Sequence, residues 1–164
     1  MYKMHGFTLG STSIVIQSHI IGMFLPSLIT GTLIKKYGHS AIIYSGALIY
    51  LICIFLSFYD QTFINYLIAL VLLGIGWNFL FIGGTSLLVL CYKESEKFKV
   101  QGFNDVLVFS IQSIASLTAG YSILKFSWNE INLVCIPLIL LIILVSIRAD
   151  IYKKKQHGIN KKLG

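Results

Sequence analysis

The charged residues of this chain stand so far apart that the intervals between them decide its architecture. No Asp, Glu, Lys or Arg falls between Lys3 and Lys35, Lys36 and Asp60, Asp60 and Lys93, Asp105 and Lys125, or Glu130 and Arg148. Each interval holds a mainly apolar core of about 17–20 residues, the length an α-helix needs to cross a hydrocarbon layer of about 30 Å. The basic residues fall on alternate connectors. Lys35, Lys36, Lys93, Lys97, Lys99 and the tail from Arg148 to Lys162 carry eleven of the thirteen Lys and Arg, and the opposite connectors keep Lys3 and Lys125. Basic flanks stay on the cytoplasmic side, which predicts five spans with the N-terminus outside and the C-terminus inside. The expected fold class is an all-α polytopic membrane bundle. Its spans lie at about 14–34, 41–58, 63–91, 101–124 and 131–147, between an extracytoplasmic segment 1–13 and a basic cytoplasmic tail 148–164.

Composition agrees with a lipid solvent. Hydrophobic residues make up 56% and charged residues 12%, too little polar surface for a soluble domain of 164 residues. The net charge of +7 brackets apolar runs and forms no basic face with interleaved aromatics, so no nucleic-acid partner is expected. Cys53, Cys91 and Cys135 are more than thirty residues apart, without a second Cys or a His at ligand spacing. That argues against a metal site and for small buried hydrophobes. Residues 1–10 are a mixed polar opening with none of the pattern of a signal peptide.

The spans differ in polarity. The second carries only Ser45 and Ser57 besides Tyr, and the fifth only Ser146, whereas the first, third and fourth carry amides, hydroxyls and His19. Polar side chains are costly against lipid, so these three spans are expected to form an inner set and the other two an outer set. Pro26 is expected to bend the first span. Gly74, Gly76, Gly83 and Gly84 should let a neighbour approach the third.

At 100° per residue, His19, Met23, Pro26, Ser27 and Thr30 share a face, as do Gly74, Asn78, Phe81 and Thr85, and Gln101, Asp105, Gln112, Ser116 and Ala119. Three such stripes are either a common cavity lining or polar glue between helices. The large amides of Asn78 and Gln112 favour a lining.

The stretch Gly31-Thr-Leu-Ile-Lys-Lys-Tyr-Gly38 resembles the cytoplasmic loop signature Gly-x-x-x-Asp-Arg/Lys-x-Gly of the major facilitator superfamily. Gly31, Lys36 and Gly38 match. Lys35 replaces the acidic residue, which suits the weaker second copy of the motif, between helices eight and nine. The run Val15–Ser27 is similar to helix eight of bacterial members, Gly74–Thr85 to helix ten and Val100–Asp105 to the start of helix eleven. The resemblance therefore implies helices eight to twelve of a twelve-helix secondary transporter. It implies transport of a small solute across the cell inner (cytoplasmic) membrane. Such transporters bind solute between two six-helix halves, so the lipid bilayer and a missing N-terminal half are the partners expected, and a portion like this is expected to be inactive alone. The alternative is a non-transporting membrane subunit that packs against a partner membrane protein.

His19, Ser27, Thr30, Trp77, Asn78, Thr85, Gln112 and Ser116 are the candidate cavity-lining residues. His19 either binds solute or a coupling proton, or is a neutral hydrogen-bonding residue near the outer interface, the favoured alternative. Asn104 and Asp105 are expected to cap the fourth span, with Asp105 latching onto Lys35 or Lys36; a proton-coupling role for Asp105 is the less favoured alternative, because it sits at the cytoplasmic edge. Trp77 beside Asn78 is a packing residue or a cavity platform, and Trp128 an interfacial anchor. Lys153–Lys155, Lys161 and Lys162 set topology and attract anionic lipid. There is no HExxH, CxxC, phosphate-cradling lysine loop or GxSxG, so neither catalytic residues nor a cofactor are expected.

Overall fold

Thr8 starts the helical chain. Its Oγ1 accepts the Ser11 N–H at 3.1 Å, satisfying one of the unpaired donors at a helix start, and α1 (Leu9–Phe24) follows. The structure, a computed structural model, describes residues 6–59, 62–126 and 128–163; for 123, 128, 129 and 153–163 it describes the backbone alone. Tyr2, Lys3 and Gln61, and the side chains of Trp128, Lys153–Lys155, Lys161 and Lys162, lie outside the described residues.

The first expected span is made of two helices. Pro26 has no N–H to give the Gly22 carbonyl, and α1 stops at Phe24. The chain passes through a tight turn, with Leu28 N–H donating to Leu25 O at 3.3 Å and Ile29 N–H to Pro26 O at 3.0 Å. Then α2 (Ser27–Tyr37) resumes. It ends on Lys35 and Lys36, cations favoured at a helix C-terminus, and on Gly38, whose φ of 87° is strained for any residue with a Cβ. The remaining helices are α3 (His39–Tyr59), α4 (Phe63–Leu88), α5 (Lys97–Lys125) and α6 (Trp128–Leu163). One-turn 3₁₀ segments at Val89–Cys91 and Glu94–Glu96 join α4 to α5.

The helices extend the expected spans at their ends. Residues 9–13, 97–100 and 148–163 are helical, although the sequence placed them in flanking segments. Among the described residues, four stretches are long and apolar enough to cross a membrane: Leu9–Tyr37, His39–Tyr59, Phe63–Cys91 and Glu130–Tyr152. The expected span left over, the fourth, is a helix of 29 residues, α5, diluted by Ser110, Gln112, Ser113, Ser116, Thr118 and Gly120. Leu117 is 85% exposed and Phe55 70%. Surfaces this apolar belong in a bilayer, and the chain is an all-α, multi-pass membrane bundle.

α4 is the hub. A Cβ on Gly74 would stand 2.5 Å from the His19 carbonyl oxygen, and one on Gly22 would stand 2.8 Å from that of Val71, so α1 and α4 touch backbone to backbone. On the other flank, Gly46 of α3 faces Gly76 of α4 in the same way. α6 packs behind α3, where Ala47, Ile54 and Ile139 form a buried cluster with Tyr50, Leu51 and Leu80 around it. α5 stands apart, and residues 111–120 are exposed throughout.

Packing within this chain does not follow the expected inner and outer sets. The second span, α3, is embedded against the third, and the fourth, α5, is the least packed. Polarity reports which helix face avoids lipid. Glycine spacing decides which backbones come together, and α3 and α4 have it.

An unanticipated clasp closes one end of the α3–α6 pair. Ser40 Oγ donates to Asp150 Oδ1 at 2.5 Å and Tyr44 Oη to Oδ2 at 2.8 Å. Hydrogen bonds to a charged, part-buried carboxylate are each worth about 1.5–3 kcal/mol. Asp150→Asn and Tyr44→Phe should each lower stability by about 2 kcal/mol, measured as thermal midpoints in detergent.

Candidate functional site

The Pro26 break leaves carbonyl groups without helical partners, and side chains take them up. Ser27 Oγ donates to Phe24 O at 2.6 Å, and Asn78 Nδ2 reaches across from α4 to Met23 O at 2.8 Å. The Asn78 amide is oriented by this bond, so its Oδ1 accepts from Thr30 Oγ1 at 2.7 Å. The same Thr30 hydroxyl lies 2.7 Å from Pro26 O, so one proton serves two acceptors. Thr30 is fully buried and Asn78 is 2% exposed. A buried amide with both ends engaged holds a kinked helix to its neighbour.

Beside this knot opens a cavity of about 220 Å³. Its aromatic side is built from three elements. Trp77 and Phe81, one turn apart on α4, stack with centroids 4.7 Å apart and planes 10° from parallel. Phe24 meets Trp77 edge-on at 6.5 Å, and Phe109 of α5 tilts against Phe81 at 6.1 Å. Ser27, Asn78 and Gln112 supply the polar atoms, and among the described residues no charged one lines the cavity. Gln112 makes no hydrogen bond among the described residues.

Of the candidate lining residues, the structure brings Ser27, Trp77, Asn78 and Gln112 to this cavity. Thr30 lies behind it, bonded to Asn78. His19 is a turn or more away, where its Nδ1 donates to the Leu70 carbonyl at 2.8 Å and ties α1 to α4. A carbonyl only accepts, so Nδ1 carries the proton. Thr85, farther along α4, and Ser116, exposed on α5, lie off the cavity.

The capping role expected for Asn104 and Asp105 is corrected. α5 starts at Lys97, so both lie well inside the helix. Asn104 Nδ2 donates to Asp105 Oδ1 at 3.3 Å. Among the described residues the ion pair formed is Lys97 with Glu94 at 3.5 Å, an exposed pair of little energetic weight, and Asp105 does not reach Lys35 or Lys36. In the loop motif, Gly31 has open space around it, Lys36 lies over the Tyr37 ring at 5.0 Å, and Gly38 makes the turn into α3. Cys53 is buried and its thiol donates to Ala69 O at 3.1 Å, but Cys91 and Cys135 are exposed, against the expectation that all three are buried.

A larger groove of about 560 Å³ lies between the ends of α5 and α6, lined by Ser122, Phe126, Leu133, Val134 and Cys135 with Glu130 at its edge. Its mainly apolar wall suits lipid chains, and none of the candidate polar residues reaches it. The residues missed in the sequence are Phe24 and Phe109, whose apolar neighbours hide them, and Asp150, set in a basic tail.

The chain belongs to the major facilitator superfamily, whose family model matches residues 1–162. It is similar to the riboflavin transporter RfnT of Brucella anthropi, with 33% identity over 139 residues, 85% of this chain and 35% of that protein. Two uncharacterized MFS-type transporters of Bacillus subtilis are similar as well. YdeG is 37% identical over 134 residues, covering 80% of this chain and 31% of its own, and YddS 34% identical over 145, covering 83% and 33%. The chain spans about a third of the length of these relatives. No solved structure gives a significant match.

Proposed function

We propose that this chain supplies one wall of the solute cavity of a major facilitator transporter and moves a small solute together with an N-terminal half. The supporting observation is the cavity itself. Three elements converge on it with Ser27, Trp77, Asn78 and Gln112, while α5 leaves the far side uncovered. Against lipid an exposed amide such as Gln112 is unfavourable, and a second half would cover it. On this proposal α5 crosses the membrane with the other four spans. The protein sits in the cell inner membrane, N-terminus outside and C-terminus in the cytoplasm.

Two measurements test these points. Co-expression with a matching seven-span N-terminal portion, followed by reconstitution in liposomes, should give saturable solute uptake that the 164-residue chain alone lacks. Riboflavin, the solute named for one relative, is the first to assay. Uptake by the chain alone would remove the need for a second half, whereas association without uptake of any solute would favour a non-transporting subunit. For orientation, single cysteines at positions 97 and 125 in a Cys-less background should differ. A membrane-impermeant maleimide added outside should label position 125 and spare position 97, and the reverse result overturns the topology.

A further inference from the structure

We propose that the cavity between α1, α2, α4 and α5 is a stacking slot for a flat, uncharged ring whose edge is read by the Gln112 amide. This rests on the cavity being the solute site.

Shape argues first. Trp77 and Phe81 form a parallel aromatic pile, and rings from two other helices, Phe24 and Phe109, close on it at an angle. A flat ring is the solute shape that extends such a pile with offset-stacked and edge-to-face contacts. The share of the cavity against this wall, about 220 Å³, has room for one or two fused rings. Charge argues next. Among the described residues no Lys, Arg, Asp or Glu lines the cavity, so this wall offers a charged solute no partner.

The polar groups then set what the ring must carry. The Ser27 hydroxyl proton is committed to Phe24 O, which leaves Ser27 as an acceptor. Asn78 has its oxygen and one N–H engaged in the Pro26 knot. Gln112, without a hydrogen bond among the described residues, offers a carbonyl and an NH₂ side by side. Their complement is an adjacent N–H and C=O, as in a ring lactam or imide.

The test uses the full chain in lipid nanodiscs with Trp128→Phe, which leaves Trp77 as the only tryptophan. Quinazoline-2,4-dione should quench Trp77 fluorescence saturably. Glutarimide, with the same imide edge and no aromatic ring, should compete at least ten-fold more weakly. Phe81→Leu should weaken the dione about five-fold. Gln112→Leu should abolish the preference for the dione over its 1,3-dimethyl derivative while retaining ring binding. Absence of saturable quenching, equal competition by glutarimide, or unchanged affinity in Phe81→Leu overturns the slot. The two proposals fail separately. Saturable uptake by the assembled transporter with no dione binding sinks the slot and leaves transport standing, and dione binding with these preferences but no uptake does the reverse.

Discussion

Gly74→Ala should cost this protein about 3 kcal/mol, the upper part of the range for overpacking a tight interface. The added Cβ meets three backbone atoms of α1, 2.5 Å from His19 O and 2.9 Å from Gly22 C and Met23 N. None of these can rotate away as a side-chain tip could, so α1 must part from α4, and the His19 bond to Leu70 O goes with it. Gly84→Ala on the same helix is the matched control. Nothing lies within 4 Å of a Cβ there, and a helical Gly→Ala change alone gains about 0.5–1 kcal/mol. Thermal midpoints by size-exclusion chromatography in detergent should therefore move in opposite directions. Equal behaviour of the two variants would mean that α1 and α4 do not meet along this seam.

The second large effect is expected at Asn78. Asn78→Leu keeps the branched outline but removes the donor to Met23 O and the acceptor for Thr30. A buried carbonyl left without a partner costs about 1–3 kcal/mol, so a loss of about 2 kcal/mol is expected. Thr30→Val should cost about 1 kcal/mol, because Met23 O keeps its donor. The double variant should be no worse than Asn78→Leu alone, a coupling of about 1 kcal/mol between the two sites. Strict additivity would show that the two side chains act independently.

The sequence carried the helices well and their neighbours poorly. Charge-free intervals located the apolar runs because Lys, Asp and Glu are costly in lipid, and Pro26 announced its break because the missing N–H is a local fact. Helix ends were harder. Lys97–Gln101 is polar enough to read as a connector, and that placed Asp105 at a helix start it does not occupy. Periodicity put Asn78 and Gln112 on polar stripes, but a stripe does not say whether an amide meets a partner. One is consumed by the Pro26 knot and the other makes no hydrogen bond among the described residues. The Asp150 clasp joins positions 106 and 110 residues apart, a separation at which nothing in the chain marks Ser40 or Tyr44 as its partners.

The break at Pro26 has a mechanical consequence. A hinge usually belongs to the rod that bends, but here its pin is driven in from another rod. α1 is fixed to α4 at Gly22 and Gly74 and through His19, so swinging falls to α2, beyond the proline. The Asn78 amide straddles the joint, holding Met23 on one side and Thr30 on the other. Any change of angle between α1 and α2 therefore stretches one of these bonds or turns the Asn78 side chain. Trp77 precedes Asn78 in the chain, so the aromatic pile sits on the same turn of helix that registers the swing. Were the segment that ends at Lys35 and Lys36 to tilt, the cavity wall would have to repack with it, as two ends of one lever with its fulcrum at a single buried amide.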